Sequence, residues 1–363
     1  VHREDDADDV RTHCQDPEMA RWTRIPQPYR HHHALEFIRS REPAWYQGHS
    51  FTYAVVAPDP DTGDDRYAGA VELFGIGGPP TAEVGYGLAS WARGRGIGST
   101  AVRLLLTWGF DTLGLDVVHW RAGVGNWPSR RLAWAVGFRI EGTVRGLLDQ
   151  RGTATDAWIG SLHRDDPREP VHPWFDPPRI VTPEVVLRRY RAEDEARAVD
   201  ALNDPAIRHW FPELVLPWTP AEQRRHRAGV LTATAEGRQV SWAVADPRDD
   251  RLVGEVTLFG LDRGGTTAEV GFWTHPDARG RGVARAAVRA AVRHGVLPIG
   301  AGGLGLERLV CRAAVDNHAS LGVVRAAWFR ETGRERRAER CRDGTRRDLL
   351  RWDLLAEEIP PGD

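Results

Sequence analysis

The sequence predicts two tandem domains of one α/β fold, and three observations carry that prediction. Segments of the first half recur in the second at nearly constant spacing. Each copy sets helices, alternating strands, a glycine-rich turn and an apolar helix in the same order, and a proline-rich stretch separates the copies. Glu83 matches Glu269 and Gly94 matches Gly280, both at an offset of 186 (269 − 83 and 280 − 94). Upstream, "QDPEMARW" (Gln15 to Trp22) matches "NDPAIRHW" (Asn203 to Trp210) at an offset of 188 (203 − 15). Downstream, "NWPS" from Asn126 matches "NHAS" from Asn317 at 191 (317 − 126), a drift that the insertion "LPIGAGG" (Leu297 to Gly303) largely explains. A period this long exceeds that of solenoid repeats, so each copy is expected to be a complete domain. The expected boundaries are 1–165 and 183–357, with a linker at 166–182 and a tail at 358–363.

In each copy helical segments come first. Strands follow at "FTYAVVA" and "YAGAVELFG" in copy one and at "VSWAVAD" and "RLVGEVTLFG" in copy two, rich in β-branched and aromatic residues. The next strand alternates, "TAEVGYGL" from Thr81 and "TAEVGFWT" from Thr267, and runs into "ARGRGIGST" or "ARGRGVARA". A helix comes after: in copy two Val288, Ala291, Val292, Gly295 and Val296 recur at helical spacing, which leaves Arg285, Arg289 and Arg293 on a wet face. Then come a strand ("DVVHWRAGV", "LERLVCRAAV"), a short helix from "NWPS" or "NHAS", and a polar hairpin closing with "AWIGSL" or "LLRWDLL". Prolines in "HRDDPREPVHPWFDPPRIVTP" (His163 to Pro183) fix φ and remove donors, so a semi-rigid extended linker is expected. The strand "EVVLR" (Glu184 to Arg188) has no counterpart in copy one, where Val1 aligns with Arg189. Domain one is thus expected to lack its first strand. Either the gene product begins upstream of Val1 or another segment covers the exposed edge.

Composition narrows the function. Arg supplies all 49 basic side chains against 51 acidic ones, a net charge of −2 that argues against nucleic acid or an anionic membrane as the main partner. Three cysteines (Cys14, Cys311, Cys341) at unrelated spacings point to neither a disulfide framework nor a zinc site. The acidic start "VHREDDADDV" and the lack of a long apolar run argue against a signal peptide or a membrane span, so a cytoplasmic bacterial protein, monomer or homodimer, is expected.

A strand entering Arg93-Gly94-Arg95-Gly96-Ile97-Gly98 and then a helix places several unobstructed N–H groups at a helix N-terminus, where phosphate binds; Arg279-Gly280-Arg281-Gly282-Val283-Ala284 repeats the arrangement. It is not a Walker loop, for no Lys-Ser/Thr follows, nor is it a dinucleotide fingerprint. A solvated turn or an RNA contact would explain one such loop less well once it occurs twice in matching contexts. Here the chain resembles the GCN5-related N-acetyltransferases, in the branch of the ribosomal-protein N-terminal acetyltransferases, over both halves. The resemblance implies in each half a mixed, mostly antiparallel sheet with helices on both faces, split between its fourth and fifth strands. Acetyl-CoA would lie in that split with its pyrophosphate on the loop, and no metal is implied.

Acyl transfer to an amine needs an acceptor for the proton shed and a donor for the departing thiolate. Period two places Glu83 on one face with Gly85 and Gly87, and Glu269 with Gly271, so each carboxylate is expected to look over a floor free of side chains and to act as general base; a solvent-facing strand carboxylate is the alternative. The resemblance implies that Asn126 and Asn317 bind the cofactor and that Ser129 and Ser320 protonate the thiolate, while helix capping would account equally for these residues. No Tyr stands on the following helix, where many acetyltransferases place their acid. Trp22 and Trp210 occupy matching places where the family builds its acceptor pocket, with core packing as the alternative. His31, His32 and His33 splay around a helix and cannot converge on one metal. The Arg-rich "GRERRAERCRDGTRRD" from Gly333 interleaves acids and is expected to neutralise itself. The acceptor is open between a protein N-terminus and a small-molecule amine. The alternative function is an acetyl-CoA-binding sensor or structural module. Both halves are expected to bind coenzyme A.

Overall fold

In a computed structural model of the chain, residues 2–261 and 265–360 are described. The backbone divides into two compact units, 1–171 and 172–363. The expectation about Val1 and the end of the expected tail, 361–363, fall outside the described residues.

The first unit contains α1 (Ala7–Cys14), α2 (Pro17–Trp22), α3 (His31–Tyr46), β1 (Ser50–Pro58), β2 (Asp65–Phe74), β3 (Thr81–Leu88), α4 (Ile97–Asp111), β4 (Val117–Gly123), α5 (Trp127–Ala135), β5 (Arg139–Gln150) and β6 (Thr153–His163). Its sheet runs β1-β2-β3-β4-β6-β5. Only β3 and β4 are parallel, and they pair from Thr81↔Val117 to Glu83↔His119 before parting. A parallel pair needs a crossover. Here the crossover is α4, whose Val102, Leu105, Leu106 and Phe110 are buried against Leu73, Val84 and Val118 of the sheet. Close approach is possible because residue 109 is glycine: a Cβ there would lie 2.7 Å from Leu73 Cδ1.

The second unit repeats this plan with β7 (Ile180–Val181), β8 (Val186–Arg188), α6 (Glu195–Asn203), α7 (Pro205–Trp210), α8 (Pro220–Ala235), β9 (Gln239–Ala245), β10 (Leu252–Phe259), β11 (Thr267–Thr274), α9 (Val283–Val296), β12 (Arg308–Ala314), α10 (His318–Ala326), β13 (Arg330–Arg340) and β14 (Arg346–Leu355). Its sheet runs β13-β14-β12-β11-β10-β9-β8-β7, and β11 pairs in parallel with β12 over Thr267–Glu269 alone. In this sheet β8 lies beside β9, whereas among the described residues of the first unit no strand pairs with the outer edge of β1.

Two sequence expectations change. The stretch 166–182 does not stand free as a linker: Arg168 lies over the Phe110 ring at 4.3 Å in the first unit, while Pro178 accepts from Trp242 Nε1 at 3.0 Å and Ile180–Val181 forms β7 in the second. Its prolines leave carbonyls free to be used by neighbouring donors. Nor is the arginine face of α9 simply wet. Arg289 and Arg293 sit over the Trp328 ring at 4.6 and 5.0 Å, because a guanidinium is weakly hydrated and stacks on aromatic faces. The hairpin β13–β14 carries the ion pairs Arg334–Asp348 and Arg347–Glu339, at 2.7 and 3.1 Å. On α3, His31 meets Asp8 and His33 Nδ1 accepts from the Arg30 N–H, and no group of His, Cys, Asp or Glu among the described residues is arranged to hold a metal. Among these residues no helix is long and apolar enough to cross a membrane.

Candidate active site

In each unit two strands part, β3 from β4 and β11 from β12, and the strand on one side of the parting, β3 or β11, leads into the glycine loop. Gly94 and Gly96 adopt φ of +72° and +77°, Gly280 and Gly282 +73° and +77°, left-handed values that only glycine takes without strain. Gly96 and Gly282 are the N-caps of α4 and α9, and the first helical bonds are Thr100 N–H to Gly96 and Ala286 N–H to Gly282. The N–H groups of Ile97, Gly98 and Ser99, and of Val283, Ala284 and Arg285, therefore precede the helical ladder, the arrangement that suits an anion.

The loop arginines have partners of their own. Arg93 pairs with Asp16 and donates to the Leu88 carbonyl, Arg279 pairs with Asp204, and Arg281 donates to Asp246 at 2.7 Å. Arg95 stacks over Trp91 at 5.4 Å. The loop's uncommitted donors are thus first of all its backbone N–H groups. Asp16 and Asp204 also cap α2 and α7, so one carboxylate in each unit ties the loop to the neighbouring short helix.

Glu83 and Glu269 lie on the strand face the alternation assigns them, but the bare floor does not exist. The Phe74 ring covers Gly85 and the Phe259 ring covers Gly271, at 3.3 and 3.1 Å from where a Cβ would stand, and Met19 with His13 covers Gly87. Each glycine makes room for a neighbour's side chain rather than for a ligand. The carboxylates meet arginines of the facing strand: Arg121 Nε donates to Glu83 at 2.7 Å and Arg312 Nε to Glu269 at 3.1 Å. Burial raises the Glu83 pKa against the opposing pull of Arg121.

Asn126 and Asn317 act as N-caps: their Oδ1 atoms accept from the N–H of Ser129 and Ser320 at 3.2 and 3.1 Å. Beyond this the units differ. Trp120 Nε1 donates to Ser129 Oγ at 3.2 Å, Ser129 Oγ donates to Tyr86 Oη at 3.2 Å, and Tyr86 Oη donates to the Ser129 carbonyl at 2.8 Å. In the second unit the strand register puts Phe272 in place of Tyr86 and Cys311 in place of Trp120, so Ser320 Oγ meets neither a phenol nor an indole. Burial, and then the charge of Glu269, pushes the Cys311 thiol up to about 12.

A cavity of 1590 Å³ in the second unit joins Gly280, Gly282 and Ala284 to Glu269, Asn317 and Ser320. Trp210, Phe211 and Glu339 also line it. In the first unit a cavity of 480 Å³ is lined by Glu83, His119, Arg121 and Ser161, and touches neither the Gly94–Gly98 loop nor Asn126. Trp22 lies on the backbone of Gly123 and Gly125, 3.3 and 3.5 Å from their virtual Cβ positions. Trp210 instead lies under the Arg347 guanidinium at 5.0 Å.

The acetyltransferase (GNAT) domain model matches residues 1–139 and 184–330. The chain belongs to the GNAT acetyltransferase family. It is therefore an acetyl-CoA-dependent N-acetyltransferase with two copies of the family's domain. It is similar to the uncharacterised N-acetyltransferase p20 of Bacillus licheniformis, with 25% identity over 165 residues, 44% of this chain and 87% of that one. It is also similar to the solved RimJ of Mycobacterium smegmatis in complex with CoA-disulfide (24% identity, TM-score 0.44, 49% of this chain and 85% of that one). A third likeness is to spermidine N-acetyltransferase from Vibrio cholerae in complex with CoA and spermine (19%, TM-score 0.42, 49% and 99%). Within this GNAT chain, sequence reasoning missed Asp16, Asp204, Arg121, Arg312 and Tyr86. The two aspartates and two arginines recur in matching places in both copies, a signal that could have found them; Tyr86 has no such recurrence.

Proposed function

We propose that the second unit moves acetyl from acetyl-CoA to a primary amine, a protein N-terminus or a small-molecule amine, by direct attack in a ternary complex. The observation that carries this reading is the single cavity joining the anion cradle to Glu269, Asn317 and Ser320. The residues fit the cosubstrate. Nothing lies within 4 Å of a Cβ built on Gly280, so a pyrophosphate could approach the backbone, and the unpaired edges of β11 and β12 offer amide donors and acceptors to a pantetheine arm.

The amine nitrogen attacks the thioester carbonyl carbon, an N–C bond forms and the C–S bond breaks. Glu269, held by Arg312, takes the proton shed by nitrogen directly or through one water. Ser320 Oγ–H, or a water beside it, returns a proton to the thiolate, so acetyl-CoA and amine give amide and coenzyme A in balance. Trp210 and Phe211 form the wall on which the acceptor rests. A near-neutral net charge supports a reaction without nucleic acid as substrate.

The test is incubation of the full chain with acetyl-CoA and a panel of N-terminal peptides, polyamines and aminoglycosides, reading thiol release and product mass. Acceptor-dependent thiol release with one acetyl group gained on the amine is expected. Tight acetyl-CoA binding without transfer to any amine would instead favour the sensor reading.

A further inference from the structure

We infer that the two copies have divided the work: coenzyme A binds and acetyl moves in the second unit alone, while the slot of the first is sealed by Trp22 and by the Tyr86–Ser129–Trp120 network. This rests on the reading of the split strands as the coenzyme site, and it replaces the expectation of two equivalent sites.

Two independent features close the first slot. Tyr86 stands on β3 and Ser129 on α5, beyond the end of β4, so their two hydrogen bonds bridge the gap that the parting strands leave. Burial keeps the Tyr86 phenol protonated, and Ser129 Oγ accepts from Trp120 and gives its proton to Tyr86, so the proton is engaged within the protein. The second unit lacks both partners of that hydroxyl.

The other feature is Trp22. Gly123 and Gly125 carry no side chains, so the indole settles on their backbone at the end of β4. Ala314 and Asp316, which carry side chains, stand at the matching positions in the second unit. Trp210 is also drawn elsewhere, under Arg347, whose Nη2 donates to the His209 carbonyl at 3.1 Å and whose Nε meets Glu339. Thr155 occupies the matching place in the first unit and offers no cation to hold Trp22 away. The β5–β6 turn is bonded to α2: Gln150 donates to the Arg21 carbonyl and Arg151 to that of Ala20 at 3.1 Å. Trp22 itself is tied back through Nε1 to Glu18 at 3.2 Å.

Calorimetric titration of the full chain with coenzyme A tests this. One site per chain is expected, and two sites in the unmutated protein would overturn the division of work. Ala284→Glu places a carboxylate at the N-terminus of α9, where it suits the helix but competes with pyrophosphate. It should abolish binding, and a remaining site would put the coenzyme in the first unit. The double variant Trp22→Ala/Tyr86→Phe should raise the count to two; a count still at one would overturn the assignment of the seal to these side chains. If the alanine variant unfolds the unit, Trp22→Leu/Tyr86→Phe keeps apolar volume at both positions while removing the indole and the phenol hydroxyl, and the same rise to two sites is expected. No binding at all by the unmutated chain would overturn the coenzyme reading itself, an outcome distinct from the others.

Discussion

Replacing Glu269 by Gln removes one charge while keeping the side chain's shape, and the surroundings of this residue define what should follow. Its partner Arg312 has a side chain 44% exposed and lies 3.8 Å from a second carboxylate, Glu335. An ion pair so screened contributes at most about 1 kcal/mol, and Arg312 keeps a partner in the variant. For a unit of this size that loss lowers the melting temperature by about 2–4 °C. The rate should respond far more strongly, because loss of a general base costs about 10²–10⁴-fold, equivalent to roughly 3–5 kcal/mol in the barrier. The assay is thiol release at saturating acetyl-CoA over a range of acceptor concentration and pH, with coenzyme A affinity measured separately. Turnover should fall and affinity for coenzyme A should hold. If turnover stayed within about twofold of the unmutated enzyme, with the same pH profile, the base would have to be another group or bulk water.

Acid should weaken the first unit: burial, helped by the Arg93 charge, pushes His13 down to about 4. Because the folded pKa lies below the unfolded one, the unfolded chain binds more protons between about pH 4 and pH 6.5; stability is full above that window and about 2 kcal/mol is lost by pH 5. Urea titrations at pH 7.5 and pH 5 should show this loss, and a His13→Gln variant with undiminished acid sensitivity would assign it elsewhere. Phe272→Tyr installs in the second unit the phenol that bridges the first, and should slow turnover while adding about 1 kcal/mol of stability; faster turnover would make tyrosine an acid rather than a seal. Asp204→Ala removes the cap of α7, which accepts from the N–H of Ala206 and Ile207 at 3.1 Å each, and frees Arg279. About 1–2 kcal/mol of stability should go, and KM for the acceptor should rise with coenzyme A affinity retained, as kinetics and calorimetry on one preparation would show.

Local chemistry and repetition made much of this protein legible from its sequence. Left-handed turns favour glycine, so Gly94, Gly96, Gly280 and Gly282 announced the loops, and an apolar stripe with helical period announced α9. Duplication then turned weak local signals into a paired one. Side-chain packing across strands is a different matter, since nothing in "AEVGYG" says that the Phe74 ring leans onto Gly85, or that the arginines of the facing strands reach Glu83 and Glu269.

The sequence by itself determined two copies of one architecture, their loops and their candidate acids and bases, because propensity, turn chemistry and periodicity act over a few neighbouring residues. Only the tertiary structure decided that the copies are unequal. A hydroxyl on residue 86, a missing methyl at 123 and an arginine at 347 are small local changes, and they matter because folding brings them to the mouth of a narrow slot, where a single ring or hydrogen bond closes the space.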